Sequence, residues 1–137
     1  MTNFCYIKKL KHKCIAPVIG FNENPPQIAT IYSSKGTLKD LMIERQIGKD
    51  NPSTVAKIIV GIARGMCLLH FNWNHYDLKP SNILIDEDGN PIITDYFNHK
   101  EDCLDDLKNQ FSSKSDTKFY LPPEVINKNF KKLNEPE

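Results

Sequence analysis

Residues 75–82 read His75-Tyr76-Asp77-Leu78-Lys79-Pro80-Ser81-Asn82, and thirteen positions after Asn82 stands Asp95, followed by Tyr96 and Phe97. Two carboxylates, an amine and an amide thus gather between positions 77 and 95. That set carries the chemistry of phosphoryl transfer. One carboxylate accepts the proton of a hydroxyl nucleophile, and an ammonium neutralises the moving phosphoryl group. An amide oxygen and a second carboxylate suit a hard divalent cation. Each piece alone has a plainer reading. An Asp near a Lys is usually a solvated pair, a lone His more often anchors a core, and Asp95 after Thr94 can simply end a strand. The joint occurrence is what needs explaining.

Around this stretch the pattern is short strands and one long helix. Residues 83–85 and 92–94 are Ile-rich and β-prone, joined by Asp86-Glu87-Asp88-Gly89-Asn90, a turn with a glycine available for positive φ. Upstream, residues 52–71 form the longest helical pattern. Asn51 stands at the N-cap place and Pro52 at the first helical position. Val55, Ile58, Ile59, Ile62, Met66 and Leu69 fall on one stripe of period 3.6. Gly61 and Gly65 weaken that helix by about 1 kcal/mol each relative to Ala. Small residues at this spacing let another element approach closely.

Earlier still, residues 15–21 read as a strand interrupted at Pro17, and residues 28–32 as its hairpin partner across the Asn24-Pro25-Pro26 turn. Thr37 caps a short helix through Met42. Phe4, Ile7 and Leu10 give residues 1–12 a weak helical period. Residues 100–118 are a long polar loop, a length uncommon unless functional. The tail from residue 127 reads as loosely ordered.

The 137 residues suffice for one domain with its own core and are too few for two. An apolar share of 39%, a charged share of 26% and a net charge of +1 describe an ordinary globular chain with no basic face. Nucleic acid and anionic membrane are therefore not expected as partners. No apolar run approaches the roughly 20 residues of a membrane span. Cys5, Cys14, Cys67 and Cys103 lack metal-site spacing, which predicts reduced thiols and a cytoplasmic location.

Residues 75–82 follow the pattern H-R-D-L-x-x-x-N with Tyr76 in place of Arg, and on this the chain resembles the eukaryotic protein kinase family. The resemblance extends outward. Residues 12–21 resemble the H-P-x-I-V start of the fourth strand of the N-lobe, and residues 28–32 the fifth. Residues 34–38 resemble the N-G-S-L entry to the next helix. Thr117 and Tyr120-Leu121-Pro122-Pro123-Glu124 resemble the T-x-x-Y-x-A-P-E run that closes an activation segment. The resemblance implies an α+β fold: remnant antiparallel strands of an N-lobe plus the first half of a helical C-lobe. It divides the chain into an N-lobe remnant and hinge over residues 1–36 and a C-lobe portion over 37–137.

The family's roles then fall residue by residue. Asp77 is the implied catalytic base and Lys79 the phosphate contact. Asn82 and Asp95 are the implied ligands of Mg2+. Thr30 takes the gatekeeper place, Ile31 and Ser33 the hinge, and Leu84 joins the nucleotide site. ATP, Mg2+ and a protein substrate are implied, and Lys79 after Asp-Leu favours the Ser/Thr type. Several features depart from the pattern. No glycine-rich loop or Lys-bearing strand precedes Ile15, and Asn3 stands where the family has Glu. Tyr76 replaces the Arg that in many relatives receives an activation-loop phosphate. Phe97 replaces the Gly after Asp-Phe. The expectation is a kinase domain truncated at both ends. The competing expectation is a pseudokinase-like binding module, or truncated gene product, whose 55–69 helix face takes a protein partner.

Overall fold

The computed structural model describes residues 10–44, 47, 51–71, 74–96, 119, 120 and 123. Within them the order is β1 (Gly20–Glu23), β2 (Pro26–Ala29), α1 (Leu38–Ile43), α2 (Pro52–His70), a 3-10 turn (Pro80–Asn82), β3 (Ile83–Ile85) and β4 (Pro91–Ile93). Two antiparallel hairpins and two helices make the expected α+β arrangement. In the first hairpin Phe21 faces Ile28 and Gly20 faces Ala29. In the second Ile83 faces Ile93 and Leu84 faces Ile92.

The strand expected over residues 15–21 is not continuous. Ile15 instead makes a parallel bridge to Ile93 of β4. Ala16 N–H donates to the Ile93 carbonyl at 2.8 Å, and Ile93 N–H donates to the Cys14 carbonyl at 2.9 Å. Pro17 has no N–H to continue that ladder. The chain leaves β4 there and joins the other hairpin, where Ile19 N–H reaches the Ala29 carbonyl at 2.8 Å. The partner strand is also displaced from the expected residues 28–32. Pairing begins directly after the Asn24–Pro25 turn and ends at Ala29, because residues 33–37 turn away to run along β3.

Helix α1 starts where Thr37 predicts. The Thr37 side chain accepts from Asp40 N–H at 3.2 Å, and the Asp40 carboxylate takes the Thr37 N–H at 2.8 Å. This reciprocal pair satisfies donors that the first turn leaves open. Helix α2 has Pro52 in its first turn as expected, although Asn51 makes no side-chain cap bond. Its buried residues are Ile58, Gly61, Gly65 and Leu69. Ile59, expected on the same stripe, is 61% exposed; one residue from Ile58 is a 100° turn, which carries it off the packed face.

The two glycines explain why α2 lies so close to β4. A Cβ at Gly61 would stand 2.5 Å from Pro91 Cγ, and one at Gly65 would stand 2.7 Å from Ile93 Cδ1 and 3.0 Å from the Cys14 carbonyl oxygen. The sheet thus enters where side chains are absent. One core cluster gathers Leu10, Ile15, Ala16, Leu69, Ile92, Ile93 and Tyr96; a second gathers Leu41, Ile58, Ile83 and Ile85. Ile62 and Leu78 lie against both.

Contrary to the sequence expectation, α2 is long and apolar enough to cross a membrane by length and composition, with a window of mean hydropathy 1.4. Of that window 22% is buried within the chain, on the face of Ile58, Gly61, Gly65 and Leu69. Cys14 and Cys67 are free thiols; Cys5 and Cys103 fall outside the described residues, as do residues 1–9 and 97–118.

Candidate active site

The site is built on the turn between α2 and β3. Tyr76 has φ of 61°, left-handed backbone that a bulky residue rarely adopts. The turn is closed by Asp77 N–H donating to the His75 carbonyl at 2.8 Å. It aims Asp77 back over the 3-10 turn, where Asn82 N–H donates to the Lys79 carbonyl at 2.9 Å. That short turn folds Asn82 beneath Asp77. Asn82 Nδ2 donates to the Asp77 carbonyl at 2.9 Å and to Asp77 Oδ2 at 3.0 Å. Lys79 Nζ sits 2.7 Å from the same Oδ2, with both side chains largely buried. Three of the four residues singled out in the sequence therefore meet at one carboxylate oxygen.

The fourth approaches through the backbone. Thr94 N–H donates to the Asn82 carbonyl at 3.0 Å, which sets Asp95 one residue beyond a bond to Asn82. Asp95 is exposed and also left-handed, with φ of 57°. That φ suits Asp better than most residues. His75 sits beneath, fully buried. Burial holds its ring below the ordinary imidazole pKa, opposed by neighbouring backbone and by the negative charges of Asp77 and Asp95. Thr94 backbone lies near the ring, but His75 Nε2 makes no well-formed hydrogen bond among the described residues. Tyr96, following Asp95, is buried with its hydroxyl donating to the Ala16 carbonyl at 2.6 Å.

Among the described residues no three His, Cys, Asp or Glu side chains form a metal cage. The donor set still fits Mg2+. Asn82, oriented by its Nδ2 bonds to Asp77, brings an amide oxygen, and Asp95 offers an exposed carboxylate. Two hard oxygen donors are what Mg2+ takes from a protein when phosphates and water complete its octahedron.

Thr30, Ile31 and Ser33 are half-buried, and Tyr32 between them is 90% exposed. Ile31 and Leu84 lie against the same core cluster. Ser33 Oγ donates to the Ile85 carbonyl, one residue from Leu84. The segment expected to hold adenine thus runs beside the strand expected to floor it. A cleft of about 420 Å³ opens not at Asp77 but behind this segment, lined by Ser34, Lys35, Leu41, Thr54 and Ile58 among others. Asp77, Lys79 and Asn82 do not line that cleft.

Sequence reading missed the contacts of residues 34 and 35 with the 86–90 turn, and it missed the role of Cys14 as a backbone partner of β4. The first joins residues 52 positions apart, and neither carries a local signal.

The sequence matches the protein kinase domain family over residues 2–135. It is 33% identical over 126 residues to the brassinosteroid LRR receptor kinase BRI1 of Oryza sativa subsp. japonica, covering 86% of this chain and 11% of that protein. It is 32% identical over 126 residues to serine/threonine-protein kinase 12 of Arabidopsis thaliana, covering 88% of this chain and 27% of that one. Rust resistance kinase Lr10 of Triticum aestivum is 31% identical over 134 residues, with 88% and 21% covered. The chain spans about a tenth to a quarter of the length of these relatives.

Proposed function

The chain belongs to the protein kinase family, and from that membership we propose that it carries the phosphoryl-transfer centre of a Ser/Thr-type protein kinase. The reaction is transfer of the ATP γ-phosphate to a protein hydroxyl. The observation that supports it is the meeting of Lys79 and Asn82 on Asp77 Oδ2, at 2.7 and 3.0 Å. Those contacts fix the carboxylate in one rotamer. Asp77 Oδ1 accepts the substrate hydroxyl's proton as that oxygen bonds to phosphorus. The bond to the bridging oxygen breaks, and ADP leaves with its electron pair. Lys79 shifts its charge onto the transferring phosphoryl oxygens. Bound Mg2+, held by Asn82 and Asp95, supplies charge neutralisation for the phosphates. Thr30, Ile31, Ser33 and Leu84 hold adenine. The free thiols Cys14 and Cys67 fit a reducing, cytoplasmic setting.

The test is transfer of labelled phosphate to a generic protein substrate by the chain and by Asp77→Asn. The variant keeps Mg·ATP binding and loses about 10²- to 10⁴-fold in rate, the usual contribution of a positioned base. Equal rates for the two proteins would refute the assignment.

A second reading is a binding module. The 55–69 stripe expected to take a partner is not uncovered as a whole, since Ile58 and Leu69 are buried; the exposed apolar side of α2 is instead that of Ala56, Ile59, Val60, Ala63 and Cys67. An apolar stripe of this kind is a docking surface for a protein partner. Titration with Mg·ATP separates the two readings. Saturable binding supports the enzyme, and absence of binding together with a stoichiometric protein partner supports the module.

A further inference from the structure

Residues 33–37, the second part of the connection from β2 to α1, run beside Leu84 and Ile85 of β3. Ile85 N–H donates to the Gly36 carbonyl at 3.1 Å, Ser33 Oγ donates to the Ile85 carbonyl, and Thr37 bridges Leu84. The contacts continue past the strand onto the β3–β4 turn. Ser34 Oγ donates to Glu87 Oε1, and Lys35 Nζ donates to the Glu87 carbonyl at 2.5 Å. From the other side, Lys57 Nζ of α2 reaches the Asp88 carbonyl at 2.6 Å.

The turn itself is well tied. Asn90 N–H and Nδ2 donate to the Asp86 carboxylate at 2.7 and 2.9 Å, and Gly89 supplies φ of 78°. Asp86, Glu87 and Asp88 are three adjacent negative charges, so cations drawn from residue 35 and residue 57 offset their repulsion. Two consecutive residues, Ser34 and Lys35, spend their side chains on one residue of this turn.

We propose that Glu87 is a positioning residue for the nucleotide. Its carboxylate, taken by Ser34, and its carbonyl, taken by Lys35, hold residues 33–37 against β3. This sets the gap between the backbone that meets the adenine edge and Leu84 beneath the ring. Glu87 touches no part of the nucleotide. The inference rests on the nucleotide site proposed above and adds a residue that governs its affinity from outside.

The experiment uses the full chain with Mg·AMP-PNP as probe. Glu87→Ala weakens binding about two- to fivefold, the range of an exposed charged contact. Glu87→Gln keeps an acceptor for the Ser34 hydroxyl and restores binding. Ser34→Ala weakens it as Glu87→Ala does, and the double variant is no weaker than either. In the transfer assay KM for ATP rises by more than kcat falls. Without nucleotide, the Ile85 amide exchanges its hydrogen faster in Glu87→Ala than in wild type.

Equal affinity of wild type and Glu87→Ala would overturn this inference and leave the kinase reading standing. So would a loss in kcat with KM unchanged, or unaltered Ile85 exchange. A wild-type chain that binds no Mg·AMP-PNP would overturn the kinase reading and this inference with it.

Discussion

Replacing Gly61 by Ala sets two physical effects against each other. Alanine favours the helical backbone by about 1 kcal/mol over glycine. If α2 were held only by its own propensity, the variant would be more stable. Yet the new methyl would lie 2.5 Å from Pro91 Cγ, 2.8 Å from Pro91 Cδ and 3.4 Å from Cys14 Sγ. Pro91 is among the fully buried side chains and its ring cannot rotate aside. The helix and β4 must separate by about 1 Å to restore ordinary carbon–carbon contact. Overpacking of this kind costs about 1–3 kcal/mol, and the rigid ring puts Gly61 at the upper end. The net expectation is a loss of about 2 kcal/mol once the gain of about 1 is subtracted.

Urea denaturation followed by circular dichroism measures it as a lower midpoint at unchanged slope. Pro91→Ala removes both ring atoms that the methyl would strike. In that background Gly61→Ala should cost much less, giving a coupling of about 1 kcal/mol or more. Cys67→Ala, at an exposed position of the same helix, serves as the propensity control and should gain up to about 0.7 kcal/mol. A Gly61→Ala protein as stable as wild type would refute the close-approach account of how α2 meets β4.

Two further predictions concern pH. Burial raises the Tyr96 hydroxyl pKa to about 12, so the fold favours the neutral phenol. Tyr96 contributes stability in full below the unfolded value of 10.0 and loses it as pH rises toward about 12. Tyr96→Phe should remove that alkaline slope while costing about 1–2 kcal/mol at neutral pH, since the Ala16 carbonyl loses its hydroxyl donor. An unchanged slope would show that Tyr96 does not carry it. His75 behaves in the opposite sense. Burial lowers its pKa below 6.5, so its contribution is complete above 6.5 and falls away as pH drops further. His75→Gln should flatten the acid limb of a stability profile, and an NMR titration placing the ring pKa at or above 6.5 would contradict the burial argument.

Helix α2, the second hairpin and the capped start of α1 were legible because each rests on local rules. These are a 3.6-residue stripe, a glycine in a five-residue turn, and Thr37 three residues before Asp40. The meeting of Asp77, Lys79 and Asn82 was legible for another reason. Asp77, Lys79 and Asn82 lie within one turn of chain, so their spacing already constrains where they point. What was illegible depends on partners far away. Nothing local shows that residues 15 and 16 pair with β4 while residue 19 pairs with β2, since both halves look equally β-prone. Ile59 has the composition of a core residue and was misplaced because a stripe two residues wide tolerates one wrong neighbour. The left-handed backbone at Tyr76 and Asp95 has no glycine to announce it.

The Tyr96 hydroxyl spans 80 positions to reach Ala16, and the pairing of Ala16 with Ile93 closes nearly as long a loop. During synthesis the ribosome adds roughly 5–20 residues per second. Residues 14–16 therefore wait roughly 4–16 s for their partner strand to be made. For that interval they are an apolar, unpaired strand segment, the kind of surface that recruits other chains. Yield of this protein in cells should depend on what shields those three residues while the second hairpin is still being translated.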